Sequence, residues 1–212
     1  GLLVATAWKT PYAWSMLRGA RTRQRATLAD LLALDEDRRF HEIIGGELVP
    51  KASPSGEHGG AQAALTGSLF GPFNRRGGGP FPGGWWFETE VEIELETHEV
   101  YRPDVAGWRR DRVPERPSGY PVRIRPDWVC EILSPSNARD DQVTKFDGYQ
   151  RGGVGHYWIV DPVLETLRVH RWTSEGYLGV SNAQRGQRVR AEPFEAIELQ
   201  VGVLFGDDPD DG

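Results

Sequence analysis

The chain has 212 residues, 38% hydrophobic and 26% charged, with a formal net charge of −6, which is enough for one domain with a single substantial core. No apolar run approaches the roughly 18 residues of a membrane span, and the opening Leu2-Leu3-Val4-Ala5 is too short for a secretory segment and lacks a preceding basic stretch. A single cysteine, Cys130, excludes an internal disulfide and suits a reducing cytoplasm.

The charge is unevenly spread. Asp207, Asp208, Asp210 and Asp211 form an acidic tail (206–212), while Arg102 to Arg125 holds seven arginines, so the acidic balance is weak evidence against a nucleic-acid partner. Arginine outnumbers lysine 22 to three (Lys9, Lys51, Lys145). In such a chain each lysine is more informative than usual.

Residues 1–26 lack periodicity, end in the basic run Arg18-Gly-Ala-Arg21-Thr-Arg23-Gln-Arg25, and read as a tail. Thr27 and Asp30 predict a helix cap, with Leu28, Leu31, Leu32 and Asp35 forming a short amphipathic helix. Gly45-Gly46 between His41-Glu-Ile-Ile and Glu47-Leu-Val predicts a two-residue hairpin. Ser55 is placed to cap a helix running to about Phe70, with Ala61, Ala64, Leu65 and Leu69 as its core stripe. The Gly/Pro-rich stretch from Arg75 to Gly84 predicts a loop.

Phe87 to Leu95 then alternates: Phe87, Thr89, Val91, Ile93 and Leu95 on one face, Glu88, Glu90, Glu92, Glu94 and Glu96 on the other. Because like charges this close avoid burial, the acidic row reads as a solvated strand face rather than a metal ladder. A strand over Val100 to Trp108 follows, with Pro103 at its start or at a sheet edge. After an Arg/Pro-rich connection come a strong strand over Asp127 to Leu133, a break at Ser134-Pro135-Ser136, and a helix opened by Ser136 or Asn137 and ended by Gly152-Gly153. His156–Asp161 and Glu165–Trp172 predict a hairpin around Pro162, and the remainder reads as further strand and packing structure. No repeat or long linker divides residues 27–205.

Two carboxylates stand out because acidic residues are scarce inside apolar strands unless paired or metal-bound. Asp104 and Glu131 each sit in such a run, and Glu131 shares a strand face with Val129 and Leu133. At 100° per residue, Asp141, Lys145 and Tyr149 form one helical stripe and Val143 and Phe146 another. Lys145 therefore reads as a non-core residue, either paired with Asp141 at i, i+4 or turned to chemistry. Two carboxylates and a lysine suit phosphodiester hydrolysis, in which a hard divalent ion lowers the pKa of a water and neutralises developing charge. Zinc-type Cys/His clusters, Walker loops and dinucleotide fingerprints are missing from the sequence.

Tyr101-Arg-Pro-Asp104, Glu131-Ile-Leu-Ser-Pro-Ser, Asp141-x-x-x-Lys145-x-x-x-Tyr149, Gly153-Val154 and His156-Tyr-Trp-Ile-Val-Asp-Pro162 together resemble the Uma-two restriction-endonuclease family, and the likeness extends through His41–Val49 and Pro54–His58. The resemblance implies an α/β fold of the PD-(D/E)XK nuclease superfamily: a restriction-endonuclease-like core with a mixed β-sheet flanked by helices, carrying an N-terminal hairpin and C-terminal strands. It implies Asp104 and Glu131 as ligands of Mg²⁺ or Mn²⁺, Lys145 as the catalytic lysine and Glu47 as an additional acid. Leu133 stands where the superfamily pattern has its lysine, so Lys145 must reach back from the helix across ~10 Å. His58 is read as capping its own helix rather than meeting a phosphate. The expected activity is endonucleolytic cleavage of DNA by a homodimer. A nuclease-like fold kept as a non-catalytic binding module is the alternative.

Overall fold

The structure is a computed structural model that describes residues 24–35, 40–135 and 140–210. Its first element, α1 (Leu28–Leu32), is a single short helix opened by Thr27, whose backbone N–H and hydroxyl both donate to Asp30 Oδ2 at 2.7 Å. The predicted hairpin follows as β1 (His41–Ile44) and β2 (Glu47–Pro50). Its two-residue turn works because Gly45 and Gly46 both take positive φ, +61° and +83°. Ser55 caps α2 (Gly56–Phe73), its hydroxyl accepting from His58 N at 3.2 Å. The helix buries Ala61, Leu65, Leu69 and Phe73, one turn beyond the expected end.

The next segment departs from expectation. In place of one strand over Phe87–Leu95 there are two, β3 (Trp85–Thr89) and β4 (Ile93–Glu96), and the run Val100–Trp108 likewise divides into β5 (Glu99–Tyr101) and β6 (Val105–Arg109). Together they make a long hairpin that bends: Thr89 pairs with Val105 before the bend and Ile93 with Tyr101 after it. Pairing lapses over Glu90–Glu92 and Arg102–Asp104. Glu90 takes a left-handed φ of +56°, rare for a residue with a Cβ, and this reverses the alternation read from sequence. Glu92 is consequently buried against Arg102 rather than solvated, and Pro103 lies in the bend.

The bend sends the hairpin's two ends into different sheets. One has the order β2-β1-β5-β4. The other has six strands, β10-β9-β8-β7-β6-β3, built with β7 (Trp128–Ile132), β8 (His156–Asp161), β9 (Thr166–Thr173) and β10 (Gly176–Gln184). In the larger sheet β7 and β8 run parallel and their neighbours antiparallel, giving the expected mixed sheet. A π-helical turn (Asp140–Thr144) leads from β7 into α3 (Lys145–Arg151), which ends at Gly152-Gly153. Residues 136–139, where the helix was expected to open, lie outside the described part. The short pair β11 (Arg188–Val189) and β12 (Leu199–Gln200) precedes a 3₁₀ turn over Val201–Phe205.

The strand period of two sorts β7 between two cores. Trp128, Cys130 and Ile132 join α2 and the C-terminal segment around Phe194 and Leu204, while Val129 and Leu133 join Tyr149, Tyr157 and Ile159 on the α3 side. Glu131 therefore emerges on the α3 face. A smaller cluster of Leu31, Ile43 and Val100 fastens α1 to the four-stranded sheet. Gln24–Ala26 are tied in as well, since Ala26 N donates to Gly46 O at 2.8 Å. At the other end Asp207 pairs with Arg185 and Asp210 with Arg188, so the acidic residues 207 and 210 lie against the body. Among the described residues no helix is long and apolar enough to cross a membrane.

Candidate active site

The register of the larger sheet brings the two carboxylates together. Val105 pairs with Cys130, and one step further along an antiparallel pair Asp104 falls opposite Glu131, with side chains toward the same face. Asp104 thus lies in the hairpin bend just before β6 rather than within a strand. Asp104, Glu131 and Lys145 are each 1% exposed, and with Lys51 and His58 they line one narrow cleft. About 10 Å³ of that cleft is open to the centre of a water-sized sphere, room for about one water or ion.

Asp104 is held from several sides. Its Oδ2 accepts from the Ile132 backbone N–H at 2.6 Å and meets His58 Nε2 at 3.2 Å; its Oδ1 accepts from Lys51 Nζ at 2.8 Å. Burial alone would raise its pKa, but the His58 hydrogen bond and the Lys51 charge outweigh it, and the carboxyl stays well below the usual range. On the same logic, burial would lower the His58 and Lys51 pKa values, yet Asp104 raises both above their ordinary values. His58 was expected only to cap its helix; Ser55 does that, and the imidazole turns into the cleft.

Lys145 reaches back from α3 to Glu131 Oε1 at 3.2 Å and to Glu42 Oε2 at 2.8 Å. It is therefore neither a surface residue nor half of an exposed ion pair, and the side chain of Asp141 lies outside the described part. Tyr149, one helical turn on, donates to Glu131 Oε1 at 2.7 Å. Burial and then the charge of Glu131 raise its pKa, keeping the phenol protonated as a donor. Gly148 lets α3 approach this closely, because a Cβ there would come within 1.9 Å of Tyr101 Oη.

Glu47 is not brought to the cleft. It is exposed at the turn end of the hairpin, opposite Ile44, and lines a separate groove with Arg25 and Gly46. The hairpin's contribution is Glu42, two residues nearer the bend on the same face, with 1% exposure; its Oε1 accepts from Arg102 N at 2.7 Å. Lys51 and Glu42 were both missed from sequence. The rarity of lysine pointed toward the first, and an acid directly before two isoleucines in a short strand was the signal for the second. Cys130 is fully buried on the α2 face of β7, opposite to the face that carries Glu131, and burial pushes its thiol pKa well up, so it offers no thiolate.

No curated protein matches the chain. Among solved structures it is similar to "a putative nuclease belonging to DUF820" from Anabaena variabilis ATCC 29413, with a TM-score of 0.65 and 22% identity, covering 84% of this chain and 97% of that one. That likeness shows the fold, a mixed α/β architecture of the restriction-endonuclease-like kind. Residues 28–202 match the model of the Uma2 family, described as "Putative restriction endonuclease". The chain belongs to the Uma2 family.

Proposed function

We propose that the chain is a Mg²⁺- or Mn²⁺-dependent endonuclease hydrolysing DNA phosphodiester bonds, with Asp104 and Glu131 as metal ligands and Lys145 as their partner. The observation that carries this reading is the convergence of these three side chains, from the hairpin bend, β7 and α3, on one buried cleft. Family membership supports the nuclease class.

The residues fit a hard ion. Both donors are carboxylates, Asp104 is ionised at neutral pH, and the free space is the size of one water or ion. A hard ion of this kind takes one or two carboxylates and otherwise water and substrate oxygens. When bound, such an ion supplies an acidified water and neutralises phosphate charge. The chain's own groups orient the acids. The Ile132 N–H and His58 fix Asp104, and Lys145 with Tyr149 fixes Glu131. Lys145 also places a fixed positive charge between Glu131 and Glu42 at the base of the cleft. Cutting both strands of a duplex calls for two such sites, which a twofold homodimer would supply.

One observation favours a non-catalytic binding module: each carboxylate already has a lysine partner, Lys51 on Asp104 and Lys145 on Glu131. A plasmid cleavage assay with and without Mn²⁺ separates the readings. Cleavage should require Mn²⁺ and fall to background in Asp104→Ala and Glu131→Ala. Activity surviving both substitutions would remove the mechanism, and metal-independent DNA binding without cleavage would favour the binding module.

A further inference from the structure

The cleft has a second lysine, and its surroundings differ from those of the first. Lys145 is 2% exposed at its side chain, between Glu42 and Glu131, which are 1% and 2% exposed. Lys51 follows β2 at the cleft's edge and is 10% exposed. Its ammonium carries three donors, and three acceptors are in place: Asp104 Oδ1 at 2.8 Å, Arg102 O at 2.5 Å and Glu90 Oε2 at 3.1 Å. The first two belong to the buried bend. Glu90 does not: its side chain is 38% exposed.

Glu90 is also one of two non-glycine residues with positive φ among those described. Such a conformation is strained and persists where surrounding structure demands it. Here the demand is visible. Glu90 in this turn meets Lys51 at the cleft's edge, and its Oε1 accepts from Gln62 Nε2 at 3.2 Å; the same amide nitrogen lies 2.8 Å from Asp104 O. A carboxylate oxygen thus rests on a lysine beside a carboxylate pair, facing solvent. A phosphate oxygen has the charge and reach to replace it.

From this arrangement we infer that Lys51 is the residue that meets the scissile phosphate of the substrate, and that Glu90 is a positioning residue occupying the phosphate's place until substrate arrives. The inference rests on the nuclease reading and divides the two lysines: Lys145 holds Glu131 from within, and Lys51 faces the substrate. Opposite effects follow for the two partners. Removing the Lys51 charge deletes a phosphate contact, whereas neutralising Glu90 deletes a competitor for that contact.

The test is duplex binding by fluorescence anisotropy in Ca²⁺ over a series of salt concentrations, for wild type, K51M, K51R and E90Q. K51M should bind about tenfold more weakly, and its slope of log K against log salt should shrink by about 0.9, the share of one phosphate contact. K51R, which keeps the charge, should retain the wild-type slope. E90Q should bind severalfold more tightly. K51M strips a buried carboxylate of a partner, so its folding is checked by thermal melting; E90Q leaves Lys51 on Asp104 and carries the test alone if K51M does not fold. A wild type that binds while E90Q binds equally or more weakly, or a folded K51M with an unchanged salt slope, overturns the roles of Lys51 and Glu90 alone. A wild type that binds no duplex overturns the nuclease reading, and these roles with it.

Discussion

Lys145 is the residue whose surroundings fix the most. A lysine 1% exposed is tolerable only because Glu42 and Glu131 lie within ion-pair distance, and removing one member of a buried pair costs about 3–5 kcal/mol. Lys145→Met should lose stability of that order in urea unfolding, since it leaves two buried carboxylates without their cation. A loss below about 1 kcal/mol, the scale of a surface pair, would mean that the ammonium does not hold them. Cys130 supplies a second check at this scale. Burial raises its thiol pKa, and buried thiols of this kind are inert. It should resist alkylation in the native protein and react fully in denaturant; rapid native labelling would show that the α2 face of β7 is open.

Among the elements, α3 depends on one close approach. A Cβ at Gly148 would meet Tyr101 Oη at 1.9 Å, and that hydroxyl donates to Glu99 Oε2 at 2.6 Å. Gly148→Ala must therefore push α3 off the bent hairpin, at about 1–3 kcal/mol for overpacking, and carry Lys145 away from Glu131. Both stability and plasmid cleavage should fall; unchanged values for both would disprove the seating of the helix. The elements also show what a sequence can convey. Local chemistry announced the Gly45-Gly46 hairpin and the Ser55 cap, because positive φ and capping are properties of the residues themselves. The bend in 85–109 was hidden, since apolar and acidic residues go on alternating through Glu90 while the backbone does not. Glu42 and Glu47 are equally acidic on paper, and only the register with β5, where Ile43 meets Val100, brings the first to the bend and leaves the second at the turn.

For the whole molecule, the six-stranded sheet carries a core on each face, and His170 packs against the aromatic residues of the one on the α3 side. His170 Nδ1 donates to Tyr157 O at 3.1 Å within a cluster of Phe146, Tyr157 and Tyr177. Burial lowers its pKa despite that bond. A depressed folded-state pKa means that the unfolded chain takes up the proton first. Stability is thus full above the unfolded value of about 6.5 and is lost as pH falls from there through the folded value. Thermal melts between about pH 7.5 and about pH 5.5 should show that loss, and His170→Gln should reduce it; an equally steep loss in the variant would assign it to other groups. The pairing of Asp104 with Glu131 was legible in outline, since buried acids in apolar runs need a partner. The two lysines' division of the cleft was not, because it depends on depth, which a sequence does not record.

The most direct measurement is calorimetric titration of Mn²⁺ into the wild type, Asp104→Ala and Glu131→Ala. One ion bound per chain in the wild type, with binding abolished by either substitution, is the expected result. Binding that persists undiminished in both variants, or a wild type that takes up no ion, would contradict a metal centre shared between the hairpin bend and β7.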